Sequence, residues 1–266
     1  MKPEDNYIAI NRKLWNDKVA FHLESEFYDM PGFLKGKTSL KEIEMSLLED
    51  ISGKSILHLQ CHFGQDSMSL SKLGAKVIGV DFSEEAITVA KQIAVQLNLD
   101  TTFICSDIYE LPKHLNEKFD VVFTSYGTIG WLPDLDKWAK VISNFLKPNG
   151  QLVFVEFHPF VWMYDADFKS IAYSYFNTAA IVEENTGTYA DKNAPIKNQE
   201  VNWNHPTSEV LNSLIANGLT IDQYNEFDFS PYNCFNGMEE FSPNRFRIKA
   251  MANKIPMVFA LTATKK

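Results

Sequence analysis

Cysteine is scarce in this chain: there are three, Cys61, Cys105 and Cys234, an odd number with no C-x-x-C pair. Neither a disulfide framework nor a cysteine-type zinc site is indicated, and a reducing, cytoplasmic setting is expected. Positive charge is also short. Lys and Arg number 25 against 34 Asp and Glu, a net of −9, so a phosphate-neutralising basic stripe has no compositional support. The expected partner is a small molecule and not nucleic acid. No run reaches the roughly 18 apolar residues that span a bilayer, and the first residues, MKPEDNYIAINRKLWNDK, contain no apolar signal-type stretch. Neither a membrane partner nor export is therefore expected. Internal repeats and linker-like stretches are absent too, so the sequence reads as one domain over residues 1–266, with no indication of oligomeric state. Apolar residues at 45% and charged residues at 22% are enough for the whole of it to fold.

Aromatic residues are abundant at 13%, and many crowd between Phe157 and His205. Residues 1–53 read as an N-terminal helical cap. In it Ser39 and Glu42 have capping-box spacing, and Leu40, Ile43, Leu47 and Ile51 follow at helical intervals up to Gly53. From Ser55 short apolar runs alternate with amphipathic segments: the strands SILHL, KVIGVD, TFICS, FDVVFTS and QLVFVEF, with helices after Gly64, after the capping residue Ser83 and from Leu135. This β-α alternation predicts an α/β fold, a doubly wound parallel sheet, with residues 54–157 as its cofactor-binding half. Residues 158–205 read as an aromatic insertion or lid. Residues 206–266 read as a helix capped by Thr207 or Ser208, then two strands, LTIDQYNEF and IPMVFALTA, joined by a long loop from about Asp228 to Lys254. With no crossover helix between them, these should pair antiparallel.

The run Ser55–Asp66, SILHLQCHFGQD, crosses from the first strand into the first helix, where backbone N–H groups and a helix N-terminus favour an anionic ligand group. Asp81 ends the second strand, where a carboxylate can accept hydrogen bonds from ribose hydroxyls. Together they point to a nucleoside-containing ligand. Glu156 and His158, at the carboxyl end of the fifth strand, are the candidates for proton handling. His58, in mid-strand, reads as a hydrogen-bonded core histidine. Glu156, His158 and His205 lack the spacing of a metal motif, and no metal is expected.

In ILHLQCHFG, GVDFS and CSDI the sequence resembles the class I S-adenosylmethionine-dependent methyltransferases, whose first strand and turn read roughly V-L-D-L-G-C-G-T-G. The likeness extends through DVVFTSYG, the K-P-N-G turn, strand five and the final strand pair, roughly residues 40–266. It implies a Rossmann-like seven-stranded sheet with the last strand antiparallel, S-adenosyl-L-methionine as cofactor, and methyl transfer to a small molecule. It also implies cofactor contacts at Gln60, Cys61, His62, Gly64, Asp81, Phe82, Asp107, Ile108, Ser125 and Tyr126. Trp131, Trp162 and Tyr164 are the candidate substrate residues, and the acidic balance and aromatic lid suggest a neutral or cationic, partly apolar acceptor. His58 replaces the family's usual acid, and Gln60 and His62 replace glycines. Either the turn there adopts negative φ, or the two side chains line the cofactor site. The turn is similar to that of a methyltransferase subgroup with an L-Q-C-H-F-G motif, which favours the second option. An NAD-dependent oxidoreductase would carry G-x-G-x-x-G, of which one glycine is present. A non-catalytic nucleoside-binding module is the other alternative.

Overall fold

The computed structural model describes residues 2–266. Three helices, α1 (Tyr7–Glu24), α2 (Met30–Leu34) and α3 (Glu42–Leu47), form the N-terminal cap. The alternating half follows as β1 (Ser55–Leu59), α4 (Gln65–Lys72), β2 (Lys76–Asp81), α5 (Glu84–Gln96), β3 (Thr102–Cys105), β4 (Phe119–Ser125), α6 (Leu135–Phe145) and β5 (Leu146–Phe157). The insertion contributes a hairpin, β6 (Ile181–Thr186) with β7 (Lys197–Asn202). Then come α7 (Thr207–Ala216), β8 (Leu219–Phe227), a second hairpin of β9 (Met238–Ser242) and β10 (Arg245–Ile248), and β11 (Val258–Lys265).

Seven strands make the central sheet in the order β3-β2-β1-β4-β5-β11-β8. The first five are parallel, and β11 slots between β5 and β8 antiparallel to both. The sheet is doubly wound, so its central strands are apolar on both faces. Leu57, Leu59, Val122 and Phe154 pack against Trp138, Ile142 and Phe145 of α6 and Val210 and Leu214 of α7. Ile56, Val121, Phe123 and Val155 pack on the other face with Leu40, Ile43 and Leu47 of the cap. Burying each such side chain stabilises the fold by about 1.5–3 kcal/mol. The strand order reverses between β1 and β4, which leaves a crevice at their carboxyl ends.

Three local expectations are corrected. Ser39 does not cap a helix: its backbone N–H and hydroxyl meet Ser69 Oγ at 3.1 and 2.9 Å. The helix starts later, with the Glu44 carboxylate accepting from Lys41 N–H at 2.5 Å, and it ends at Leu47, so Ile51 is buried from an extended segment. In α7 the N-cap is Pro206, and neither Thr207 nor Ser208 fills that position. The stretch after β8, expected as a plain loop, contains the β9–β10 hairpin. Among the described residues no helix is long and apolar enough to cross a membrane.

Candidate active site

A cavity of roughly 1110 Å³ opens at the β1/β4 crevice and is roofed by α1, the insertion and the loop after β8. All ten residues expected to touch a cofactor line it, from Gln60, Cys61, His62 and Gly64 through Asp81, Phe82, Asp107 and Ile108 to Ser125 and Tyr126; Trp131, Trp162 and Tyr164 line it as well.

The turn after β1 keeps the left-handed backbone of a glycine motif with only one glycine. Gln60, His62 and Gly64 have φ of 55°, 50° and 78°, so the negative-φ option is ruled out. Holding an L-residue there costs about 1–2 kcal/mol, and side-chain bonds offset it. Gln60 Nε2 donates to the Thr128 carbonyl at 2.8 Å, tying the β1 turn to the loop after β4. His62 Nε2 lies 2.9 Å from His22 Nδ1, and its backbone N–H donates to Asp81 Oδ2 at 2.8 Å. Only Gly64 has no room for a side chain: an added Cβ would lie 2.4 Å from the Phe103 ring.

Asp81 also accepts from Ser83 N–H at 2.9 Å. Burial pushes its carboxyl up to about 6, against the lowering effect of these two N–H groups. At the other end of the crevice Asp107 Oδ1 accepts from Tyr109 N–H at 2.8 Å, and burial raises its pKa.

Helix α1 crosses the cavity with Asn11, Leu14, Lys18 and His22 on its inner face. Asn11 is fixed to the insertion by two bonds with Val201, to its carbonyl at 2.7 Å and from its N–H at 2.9 Å. Trp15 stands edge-on to His62 and Trp131, with ring centroids 5.3 and 5.4 Å away. The Lys18 ammonium lies 4.8 Å from the Trp15 ring centroid, 5.7 Å from that of Trp131 and 5.8 Å from that of Tyr189. Cation–π attraction of this kind is worth about 0.5–2 kcal/mol. Burial lowers the Lys18 pKa and the field of Glu200 opposes it, but no carboxylate among the described residues lies within ion-pair distance. Burial holds His22 down to about 2 and His62 to about 3, so this histidine pair is neutral at pH 7. Gln60 Oε1 is buried with no hydrogen-bond partner.

Glu156 and His158, the expected proton-handling pair, are both held by protein groups, and of the two only Glu156 lines the cavity. The Glu156 carboxylate accepts from the backbone N–H groups of Gly127, Thr128 (2.7 Å), Ile129 (3.1 Å) and Phe157 (2.7 Å), and from the Thr128 hydroxyl at 3.0 Å. With this many donors it acts as the organiser of the loop after β4, although burial raises its pKa. His158 does not line the cavity. Its N–H donates to the Met257 carbonyl at 2.9 Å, just past the end of β5. Its ring then packs on Phe259 and meets Glu226 Oε1 of β8 at 2.9 Å. His205 is engaged by the Leu132 carbonyl (2.8 Å) and Glu209 (3.1 Å), and His58 is the core residue expected, 2.7 Å from Ser67 Oγ.

The family model described as "Methyltransferase domain" matches residues 50–213. The chain belongs to that family. Its ubiquinone biosynthesis O-methyltransferase relative from Coxiella burnetii (strain Dugway 5J108-111) is 32% identical over 135 residues, covering 50% of this chain and 57% of that protein. The demethylmenaquinone methyltransferase of Lactococcus lactis subsp. lactis (strain IL1403) is 34% identical over 130 residues, covering 47% and 51%. The chain thus spans little more than half the length of these curated relatives. A solved S-adenosylmethionine-dependent methyltransferase from Clostridium acetobutylicum superposes with a TM-score of 0.58 at 14% identity, covering 97% of this chain and 99% of that one. The fold is therefore that of the class I methyltransferases.

Against that family pattern, the residues missed from sequence are those of the roof: Trp15, Lys18, His22, Tyr28, Tyr189 and Tyr232. One signal was available. Asn11, Lys18 and His22 fall on the same helical stripe as Leu14, so α1 carries polar groups where a purely structural helix would be apolar.

Proposed function

We propose that the protein transfers the methyl group of S-adenosylmethionine to a small-molecule acceptor. One observation carries this reading: the cavity holds three complements to a zwitterionic nucleoside, two of them without a partner in the protein. Asp81 presents a carboxylate for a ribose diol, the buried Gln60 Oε1 lacks a donor, and the Lys18 ammonium lacks an anion. The methionyl end of S-adenosylmethionine carries an ammonium and a carboxylate, which suit Gln60 and Lys18. In this reading Asp107 takes the adenine; Tyr7 of α1 lines the same cavity.

When bound, the sulfonium supplies an electrophilic methyl group with a neutral thioether as leaving group. The chain's residues orient and enclose it. Trp15 and Trp131 close the gap between α1 and the loop after β4, which excludes water, and Gln60 locks that loop to the β1 turn so that both walls move as one. The cavity volume, roughly 1110 Å³, exceeds the range of about 300–1,000 Å³ usual for one drug-sized ligand, which favours an acceptor beside the cofactor. The names of the relatives, concerned with ubiquinone and menaquinone, support a small-molecule acceptor.

Calorimetry with S-adenosylmethionine, its demethylated product S-adenosylhomocysteine and NAD tests the reading. The first two should bind and NAD should not. Binding of NAD with neither of the others would overturn it.

A further inference from the structure

Glu156 and His158 are both engaged by protein groups, and another acid lies behind the cavity wall. Glu44 is completely buried. One carboxylate oxygen caps its own helix through Lys41 N–H, and the other accepts the Tyr126 hydroxyl at 2.7 Å. No cation lies within ion-pair distance of Glu44 among the described residues, so its charge is held by these donors and its own backbone N–H. Tyr126 stands between this acid and the cavity, which it lines.

Tyr126 is also strained. It follows the last residue of β4 at φ 48°, a conformation that is an outlier for a bulky aromatic residue and that clusters at functional sites. Its N–H, donating to the Val155 carbonyl at 2.7 Å, holds it there. Flat apolar surface adjoins the Tyr126 ring: the ring centroids of Tyr232 and Phe157 lie 5.0 and 5.7 Å from its own, and those of Trp162 and Phe235 lie 5.8 and 5.2 Å from that of Phe157.

We propose that the methyl acceptor is an aromatic hydroxyl compound and that Tyr126, backed by Glu44, takes its proton. The proposal rests on the methyl-transfer reading. The acceptor oxygen forms a bond to the methyl carbon as the carbon–sulfur bond breaks, and that electron pair stays on sulfur. The acceptor's O–H proton passes to the Tyr126 oxygen while the Tyr126 proton passes to Glu44 Oε2. Carboxylate, sulfonium and phenol become carboxylic acid, thioether and methyl ether, so charge and atoms balance.

The groups facing Glu44 are Asp66 of α4, Tyr126 and Tyr232, with Lys41 on its own segment. Burial, then the Asp66 charge, pushes Glu44 up to about 7, which sets it as a base for neutral pH.

The test uses the full chain with labelled S-adenosylmethionine and catechol, 3,4-dihydroxybenzoate and 1-naphthol, alongside aniline and thiophenol, after calorimetry with S-adenosylhomocysteine. The hydroxyl compounds should be methylated, with kcat/KM rising with pH and levelling above about 7. Glu44→Gln and Tyr126→Phe should each lower kcat by about 10²–10⁴-fold and abolish the rising limb; Glu44→Gln should retain S-adenosylhomocysteine affinity, and Tyr126→Phe should retain the unfolding temperature. Tyr126→Phe keeps the ring packing and serves if Glu44→Gln does not fold. If the product binds but no hydroxyl compound is methylated, or only aniline or thiophenol is, the proposal is overturned; so it is if the Glu44→Gln limb persists. If S-adenosylhomocysteine does not bind, the methyl-transfer reading itself fails.

Discussion

Replacing Lys18 by Met should raise stability and lower cofactor affinity, a pair of opposite signs that a structural lysine would not give. The ammonium is buried over three aromatic rings with no carboxylate in reach, so the ligand-free protein bears an ion whose desolvation costs several kcal/mol. Cation–π attraction returns about 0.5–2 kcal/mol of that per favourable site. A methionine fills the same space and gains sulfur–aromatic contacts. A net stabilisation of about 1 kcal/mol follows, or about 2–4 °C in Tm for a domain of this size. On the ligand side, a hydrogen bond to a charged group is worth about 1.5–3 kcal/mol, so S-adenosylhomocysteine should bind about 10- to 150-fold more weakly. The control ligand is 5′-methylthioadenosine, which lacks the amino-acid end and should bind both proteins equally. Calorimetry with both ligands and a thermal scan of both proteins complete the experiment. Equal losses for the two ligands, no loss for either, or a lower Tm in the variant would refute the reasoning.

Gly64→Ala meets both a φ of 78° and the Phe103 ring at 2.4 Å, and denaturant unfolding should show a loss of about 2–4 kcal/mol. Asp81→Ala should weaken S-adenosylhomocysteine binding by about 1–3 kcal/mol, measured by calorimetry. The double variant Gln60→Gly and His62→Gly should keep the fold and bind the cofactor less well; tighter binding would mean that the two side chains only occupy glycine positions. The folded-state pKa values of His22 and His62 lie far below the ordinary 6.5. The stability they contribute as neutral groups is therefore present above pH 6.5 and lost as pH falls toward 3 and 2. His62→Asn keeps a residue that tolerates positive φ and should remove up to about 1.4 kcal/mol per pH unit from the acid slope between pH 6 and 5, measured by urea unfolding.

The sheet and the crevice were legible because strand ends are fixed by topology: once apolar runs alternate with helices, Gly64, Asp81, Asp107 and Ser125 must converge. Side-chain direction at the end of β5 was not legible, since whether His158 leaves the sheet depends on a backbone bond to Met257, 99 residues away by numbering (257 − 158). The roof was hidden for a different reason. Apolar periodicity finds a core face, and α1 buries Asn11, Lys18 and His22, which such a pattern counts as solvent-facing. The Glu44–Tyr126 bond joins residues 82 positions apart, one of them in a cap helix read only for its apolar face. Gln60 and His62 show the opposite case. Their identity departs from glycine, yet the backbone retains the family's turn because side-chain bonds to Thr128 and His22 hold it.

A crystal structure of the protein with S-adenosylhomocysteine tests the central claim most directly. The account predicts the ribose hydroxyls on the Asp81 carboxylate, the amino group on Gln60 Oε1 and the carboxylate on the Lys18 ammonium, each at a hydrogen-bond distance of about 2.7–3.2 Å, with the sulfur facing Tyr126. A ligand seated outside the β1/β4 crevice, or one lying reversed with its adenine against Lys18, would contradict it.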